Sequence, residues 1–189
     1  IHSVHCNEDY EPYAIDRDDN ISDICRSHGA YFNKYKDHVV FHKKEIVKGD
    51  GNPYSVFTPY SRTWKSLLEK ESLAHFNSES KLNALWKDNG LSKTGHPIPE
   101  LKAMGFNEAV VEYPSRSISR TIIKNYKENR NFPFKEGTSR LGIHFRFGTI
   151  SIREKARTSM NLSDSYLNEL IWRDFYSMVL FNYPWVVEG

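Results

Sequence analysis

A stretch rich in glycine and proline divides the chain into two parts with different sequence periodicity. From about Glu71 to Ser115, apolar residues do not recur at helix or strand spacing, as is typical of a connection between domains. One short helix is predicted inside this stretch, near residues 82–86. The residues that interrupt regular structure here are Gly90, Gly95, Pro97, Pro99 and Gly105. The 189 residues are therefore predicted to be parts of two domains, and Ile1 in place of Met indicates a piece of a longer protein.

Strand and helix patterns alternate before this connection. Residues 1–6 alternate in the manner of a strand, and a helical pattern follows that ends at Gly29. A β-branched and aromatic run at residues 39–41 predicts a second strand. Thr58 and Pro59 predict the next helix start, as a capping hydroxyl and a proline at the first helical position. The order strand, helix, strand indicates an α/β unit, part of a Rossmann-like domain with a parallel sheet.

The part after the connection is predicted to be all helical. Apolar residues recur every four positions from Ile118 to Tyr126, and a capping box begins at Ser151. Ser163 is placed to cap a last long helix that reaches about Leu180.

Charge and cysteine content narrow the class of protein. Lys and Arg total 26 against 24 Asp and Glu, a net charge of +2. Any binding to a nucleic acid would therefore depend on a local basic surface and not on the charge of the whole chain. Two cysteines are too few for a disulfide scaffold and favour a reducing, cytoplasmic setting. No membrane span or leader pattern is present in this stretch.

No metal site is expected from His2, His5 and Cys6 near the start of the chain, because alternate strand residues point in opposite directions.

Two neighbouring segments have the residue types of an anion site. Residues 136–142, Glu-Gly-Thr-Ser-Arg-Leu-Gly, bring hydroxyls, backbone N–H groups and a guanidinium together before a helical pattern. The alternative, that Thr138 or Ser139 only caps the helix, is favoured by these residues alone. The basic and aromatic run at residues 126–133 offers Arg130 to a DNA phosphate, although such runs are more often solvated.

One face of the last predicted helix mixes charged and aromatic residues, so it matches neither a fully buried face nor a fully solvent-exposed one. A carboxylate, a guanidinium and aromatic rings on one stripe can bind a flat polar ligand by hydrogen bonds and stacking. The alternative is a surface ion pair between Glu169 and Arg173, flanked by aromatic side chains, and the residues support both interpretations equally. The stripe consists of Tyr166, Glu169, Arg173 and Tyr176, with Trp172 beside it.

Taken in order, these segments resemble the DNA photolyase/cryptochrome family, and most of all a bacterial class I cyclobutane pyrimidine dimer photolyase. The resemblance implies a light-harvesting α/β domain, a long linker and a helical domain that holds FAD. It divides the chain into residues 1–57, 58–115 and 116–189. The matching segments are residues 7–13 with Arg17 and Asp18, 56–61, 132–141, 146–148 with Ser151, and 168–176.

The resemblance also implies roles for individual residues. Glu169 would hydrogen-bond the damaged bases and Trp172 would stack on them, as the catalytic pair. The residues implied to hold the flavin are Tyr126, Thr138, Ser139, Arg140, Leu141, Gly142, Tyr166 and Arg173, and those implied to contact DNA are Arg130, Glu169, Trp172, Arg173 and Tyr176.

The implied activity is light-driven repair of cyclobutane pyrimidine dimers in UV-damaged DNA, by electron transfer from reduced FAD. The alternatives are a cryptochrome, which uses the same flavin fold for signalling, and a photolyase of six-four photoproducts. A second, light-harvesting pigment is allowed, but Tyr13-Ala14 stands where folate-using members carry Asn-Glu and argues against folate. Gly142 stands where the family often has serine. The protein is expected to be monomeric, and this segment alone is expected to be inactive, without stably bound flavin.

Overall fold

The computed structural model describes residues 1–68, 73–84, 99–108 and 110–188. Two compact units are present. The first combines Ile1–Ala74 with Arg116–Gly189, and the second is His75–Ser115. Among the residues that the structure describes, no helix is both long enough and apolar enough to cross a membrane.

The chain begins with a small parallel sheet and one helix. Strand β1 is Ser3–Asn7, helix α1 is Pro12–Ser27 and strand β2 is Tyr31–Tyr35. The two strands pair in parallel over their full length. Gly29 has a φ of +67°, in the left-handed region that a residue without a Cβ adopts at no steric cost, and it follows the end of α1 as predicted. The predicted first strand, the helix and the parallel α/β arrangement are confirmed.

The second strand lies elsewhere than predicted. It is β2, whereas residues 39–41 are irregular, so the strand prediction there is wrong. The backbone N–H groups of Val40 and Phe41 donate to the Asp174 carboxylate at 3.0 and 3.2 Å, and these donors cannot also join a sheet ladder. The run is apolar because it is buried, not because it pairs with a strand.

Helix α2, Phe57–Ser66, begins earlier than the sequence predicted. Its N-cap is Val56, whose side chain makes no capping bond, so the predicted capping role of Thr58 is wrong. Thr58 and Pro59 lie in the first turn, where a proline is tolerated because its missing N–H has no partner there anyway. Trp64 on this helix is fully buried.

The unit His75–Ser115 has two short 3₁₀ helices among its described residues. They are Glu79–Ala84 and Leu101–Met104, and Gly105 follows the second with a φ of +87°. The first overlaps the start of the helix predicted at residues 82–86, whose remainder lies outside the described residues. Of the five predicted helix breakers in the connection, Gly90, Gly95 and Pro97 also lie outside them.

The remainder of the first unit is helical, as predicted. Ser151 and Ser163 each accept a backbone N–H in the first turn of a helix at 3.3 Å, so both predicted caps are confirmed. The helical pattern from Ile118 to Tyr126 is interrupted at Asn125 and gives two short helices instead of one. The helices are α3 Arg120–Lys124, α4 Tyr126–Asn129, α5 Gly142–Arg146, α6 Ile152–Met160 and α7 Asp164–Asn182.

The centre of the core is a buried carboxylate on α7. Asp174 Oδ2 accepts the indole N–H of Trp64 at 3.1 Å, in addition to the N–H groups of Val40 and Phe41. Oδ1 is buried and has no partner among the described residues. Burial raises the pKa of Asp174 to about 6, although the three donors and the Arg173 guanidinium oppose that shift. The carboxylate thus joins α2 and the segment around residue 40 to α7.

This pKa predicts a pH dependence of stability. A folded-state pKa above the unfolded value means that the native state holds the proton more tightly, so stability is lost as the pH rises from 3.8 through about 6. Asp174→Asn keeps an oxygen acceptor without charge. Relative to this variant, the wild type should lose about 3 kcal/mol of unfolding free energy between about pH 4 and about pH 7.

Urea denaturation at each pH measures the difference. Asp174→Ala, which leaves three buried donors without an acceptor, should destabilise the protein at every pH by about 3 kcal/mol or more. A difference between wild type and Asp174→Asn that does not change with pH would contradict the assignment.

Candidate functional site

Six of the eight residues predicted to hold a flavin line one cavity of about 180 Å³. The cavity lies among α4, α5, α7 and the loop before α5. Residues from two separate predicted segments, the hydroxyl-rich loop and the last helix, therefore meet at one place. The six are Tyr126, Thr138, Ser139, Gly142, Tyr166 and Arg173, and the lining is completed by Phe145, Glu169 and Leu170.

The loop that carries the hydroxyls is held by a close backbone approach. A Cβ on Gly137 would lie 2.6 Å from the carbonyl oxygen of Asn129, so only glycine fits there. Arg140 has a φ of 52°, a left-handed conformation that is uncommon for a residue with a side chain. Ser139 Oγ accepts the backbone N–H of Leu141 at 3.4 Å. These contacts place both hydroxyls of the loop beside the cavity.

The other two predicted flavin residues do not line the cavity. Arg140 is exposed and lies 3.9 Å from Glu136, while the Leu141 side chain is fully buried in the protein interior. Gly142 begins α5, and a Cβ there would meet nothing within 4 Å. The position thus has room for the serine that the family often carries.

Tyr166 brings an unpartnered hydroxyl to this cavity. Its ring is 2% exposed and packs edge-to-face on Tyr126, with centroids 5.2 Å apart. The hydroxyl is buried and makes no hydrogen bond to any described residue. Burial raises the pKa of Tyr166. The nearby Ser139 hydroxyl partly opposes that shift, although the two hydroxyls are not placed for a hydrogen bond. Because buried polar groups are nearly always bonded, this hydroxyl marks a place for a ligand or a water molecule.

Arg173 is held by backbone carbonyls. Its guanidinium donates to the carbonyl of His38 and, at 3.3 Å, to that of Phe145. Burial is the main cause that lowers the pKa of Arg173. The surface pair between Glu169 and Arg173, one of the two alternatives for this helix face, does not form.

Glu169 pairs instead with Arg130. The two side chains form an ion pair, and both are more than a third exposed. The Arg130 guanidinium also lies over the Tyr126 ring, 5.7 Å from its centroid. The residue predicted to bind a DNA phosphate and a residue predicted to be catalytic are thus in contact, although they are 39 positions apart in the sequence.

Trp172 lies in a stack of aromatic rings. Phe57 of α2 lies against it face to face, with centroids 3.6 Å apart and planes 5° apart, and Tyr176 stacks at 5.4 Å. One face of the indole is therefore covered by Phe57, a residue for which the sequence predicted no role. Its only signal was its place within residues 56–61, a matching segment to which no role was given. Tyr176 itself is 61% exposed.

A second cavity of about 300 Å³ is also lined by Arg173, and it includes Tyr176. Its lining includes an ion pair between Arg146 and Glu11 at 2.7 Å, which joins two of the matching sequence segments.

Within the described ranges, no group of three or more His, Cys, Asp or Glu side chains is arranged to hold a metal ion. His5, one of the three residues considered for a metal, bonds to Ser3 and Tyr35.

Comparison with known proteins gives consistent matches over the whole chain. The DNA photolyase family profile matches residues 1–78. A deoxyribodipyrimidine photo-lyase of Halobacterium salinarum is 32% identical over 93% of this chain and 40% of its own length. One of a Synechococcus species is 27% identical over 99% of this chain and 43% of its own length. The chain thus spans about two fifths of these curated relatives.

Solved structures share the fold. A class III photolyase from Agrobacterium tumefaciens has a TM-score of 0.59 at 19% identity, over 97% of this chain and 41% of its own. An archaeal photolyase from Sulfolobus tokodaii, solved with two FAD molecules, has a TM-score of 0.60 at 22% identity, over 97% of this chain and 40% of its own. Both confirm an α/β part followed by helices.

The stack between Phe57 and Trp172 predicts a measurable coupling. Phe57→Ala, Trp172→Ala and the double variant should give a coupling energy of about 0.5–1.5 kcal/mol in urea denaturation, because stacked rings contribute beyond their buried area. Phe57→Leu keeps apolar volume without a ring and should lose the coupling while retaining more stability than Phe57→Ala. Additive effects of the two alanine substitutions would show that the rings do not interact.

Proposed function

We propose, on the premise that this chain belongs to the DNA photolyase family, that the protein containing it repairs cyclobutane pyrimidine dimers in DNA under light, with FAD as cofactor. The observation that carries the proposal is the unpartnered, buried hydroxyl of Tyr166, in a cavity lined by six residues independently implied to hold a flavin. The names of the curated relatives, all deoxyribodipyrimidine photo-lyases among those compared above, support repair over signalling.

The residues present fit part of a flavin dinucleotide. Small-molecule sites typically have about 300–1,000 Å³, so a cavity of about 180 Å³ suits the phosphate and ribityl portion and not the whole cofactor. Hydroxyls of Thr138, Ser139 and Tyr166 offer hydrogen bonds, and the Arg173 guanidinium adds positive charge. The open space at Gly142 lets a ligand approach the backbone closely.

The chain's own residues would bind and orient the damaged DNA. When bound and reduced, the flavin would supply the electron that splits the dimer after light absorption. Arg130 would leave Glu169 to bind a DNA phosphate, and Glu169 would then be free to hydrogen-bond a pyrimidine. Trp172, which stacks on Phe57 and on the exposed Tyr176, would stack against the flipped-out bases once Tyr176 moves aside.

Several finer features belong to the same proposal. By resemblance, the protein is a class I enzyme of the bacterial cytoplasm, acts as a monomer and uses no folate pigment. Residues 1–57, 58–115 and 116–189 are proposed as the end of its α/β domain, the linker region and the start of its flavin domain. Arg140 and Leu141 would contribute to the flavin site through the loop backbone, because their side chains lie away from the cavity.

Tyr166→Phe tests the flavin site. Without ligand, the variant should be as stable as the wild type or more so, because it removes an unsatisfied buried hydroxyl. In the full-length protein, FAD affinity should fall about threefold to tenfold, the worth of one hydrogen bond. Tyr54→Phe is the matched control, because its hydroxyl bonds Thr63 at 2.9 Å, away from the cavity. Equal FAD affinity in Tyr166→Phe and Tyr54→Phe would remove the main support for the site.

Repair itself is tested on the full-length protein under blue light, with reductant and an oligonucleotide carrying one cyclobutane dimer. We expect dimer loss by chromatography, and about tenfold weaker binding of the damaged strand by Glu169→Gln, since a hydrogen bond to a charged group is worth about 1.5–3 kcal/mol. Glu128→Gln on α4 is the matched control, because it makes the same substitution at an exposed glutamate, and it should not weaken binding. Bound flavin without dimer loss would refute repair and favour the signalling alternative.

A further inference from the structure

We propose that Phe132, Phe134 and Lys135 form a second DNA contact of this chain, a platform on which bases of single-stranded DNA stack next to the lesion site. We call these three residues the aromatic platform. The inference rests on the proposed function in so far as DNA is the ligand, and it adds a contact surface to which no role in binding has been given.

The platform exposes two aromatic rings side by side. Phe134 is 82% exposed and Phe132 is 45% exposed, with ring centroids 5.8 Å apart and a tilt of 58° between the planes. Lys135 Nζ lies 4.7 Å from the centroid of Phe132 and 6.0 Å from that of Phe134. Exposed aromatic rings next to a basic side chain are the combination that sequence-independent binders of single strands use.

The backbone holds the platform in place before any ligand arrives. The N–H of Lys135 donates to the carbonyl of Phe132 at 2.9 Å, and that of Gly137 donates to the carbonyl of Lys135 at 2.8 Å. Lys135 Nζ donates to Asn129 Oδ1 at 3.2 Å, and the tight contact between Gly137 and Asn129 fixes the end of the loop. A preorganised surface loses less conformational entropy on binding.

The charge around the platform suits a polyanion. Residues 124–140 carry five basic and two acidic side chains, a local charge of +3, which exceeds the +2 of the whole chain. Two of the five cations have carboxylate neighbours, Arg130 beside Glu169 and Arg140 beside Glu136. An apolar protein partner would have to bury the Lys135 ammonium, whereas a nucleotide offers a ring for the phenylalanines and a phosphate for the cation.

The platform is also close to the proposed lesion site. Phe132 follows Arg130 by two residues, so their Cα atoms are within about 7 Å of each other. A strand whose phosphate lies on Arg130 would therefore pass beside the two rings. This proximity favours DNA over an unrelated ligand.

Fluorescence anisotropy with a labelled, undamaged oligothymidylate, in the dark, tests the platform on the full-length protein. Phe134→Ala should weaken binding about fivefold or more, because stacking on one aromatic ring is worth about 1–3 kcal/mol per base. Phe134→Trp should retain binding and Phe134→Leu should not, which separates stacking from apolar contact. Lys135→Ala should lower the slope of log affinity against log salt by about one. Phe106→Ala is the control, since Phe106 is 62% exposed in the unit His75–Ser115 and should have no effect.

Three results would overturn the proposal: no measurable oligonucleotide binding, an equal effect of Phe134→Ala and Phe106→Ala, or self-association in sedimentation that Phe134→Ala abolishes, since the platform would then contact a second copy. Flavin content and dimer repair decide the proposed function independently. If the protein repairs dimers and its Phe134→Ala variant binds DNA as tightly as the wild type, only the platform proposal is refuted and the proposed function stands.

Discussion

The buried carboxylate of Asp174 is the interaction on which the rest of the main unit depends. A single oxygen accepts the indole of Trp64 and two backbone N–H groups from the segment at residues 40–41. Burial of a carboxylate is unfavourable unless donors surround it, and these three donors come from two separate elements. The full set of hydrogen bonds to this carboxylate therefore forms only when both elements pack against α7.

Arg173 and Asp174 are adjacent in sequence but face different surroundings. Successive helical residues are about 100° apart around the axis, so one side chain enters the core while the other reaches the cavity. Arg173 is itself held by carbonyls of His38 and Phe145. The candidate site is thus tied to the core, because Arg173 lines the cavity that contains Tyr166 and is adjacent in sequence to the buried Asp174.

Sequence reasoning succeeded where the signal is local. Ser151 and Ser163 cap helices because a hydroxyl three residues before a backbone N–H needs no distant partner, and Gly29 ends α1 for an equally local reason. It failed at residues 39–41, where apolar, β-branched residues are also what a buried loop contains. It also failed at Thr58, since α2 begins at Phe57 and its N-cap is Val56, which makes no side-chain capping bond.

The sequence by itself determined the α/β-then-helical order, the helix caps at Ser151 and Ser163, the family resemblance and the residue types of the candidate site. Only the tertiary structure decided which of those residues meet. Glu169 pairs with Arg130, 39 positions away, and not with the neighbour on its own helix, and Trp64 bonds Asp174 across 110 positions. The reason is physical: caps and periodic faces depend on residues within one or two turns, whereas a buried charge or ring takes whichever partner the packing of distant elements brings within reach.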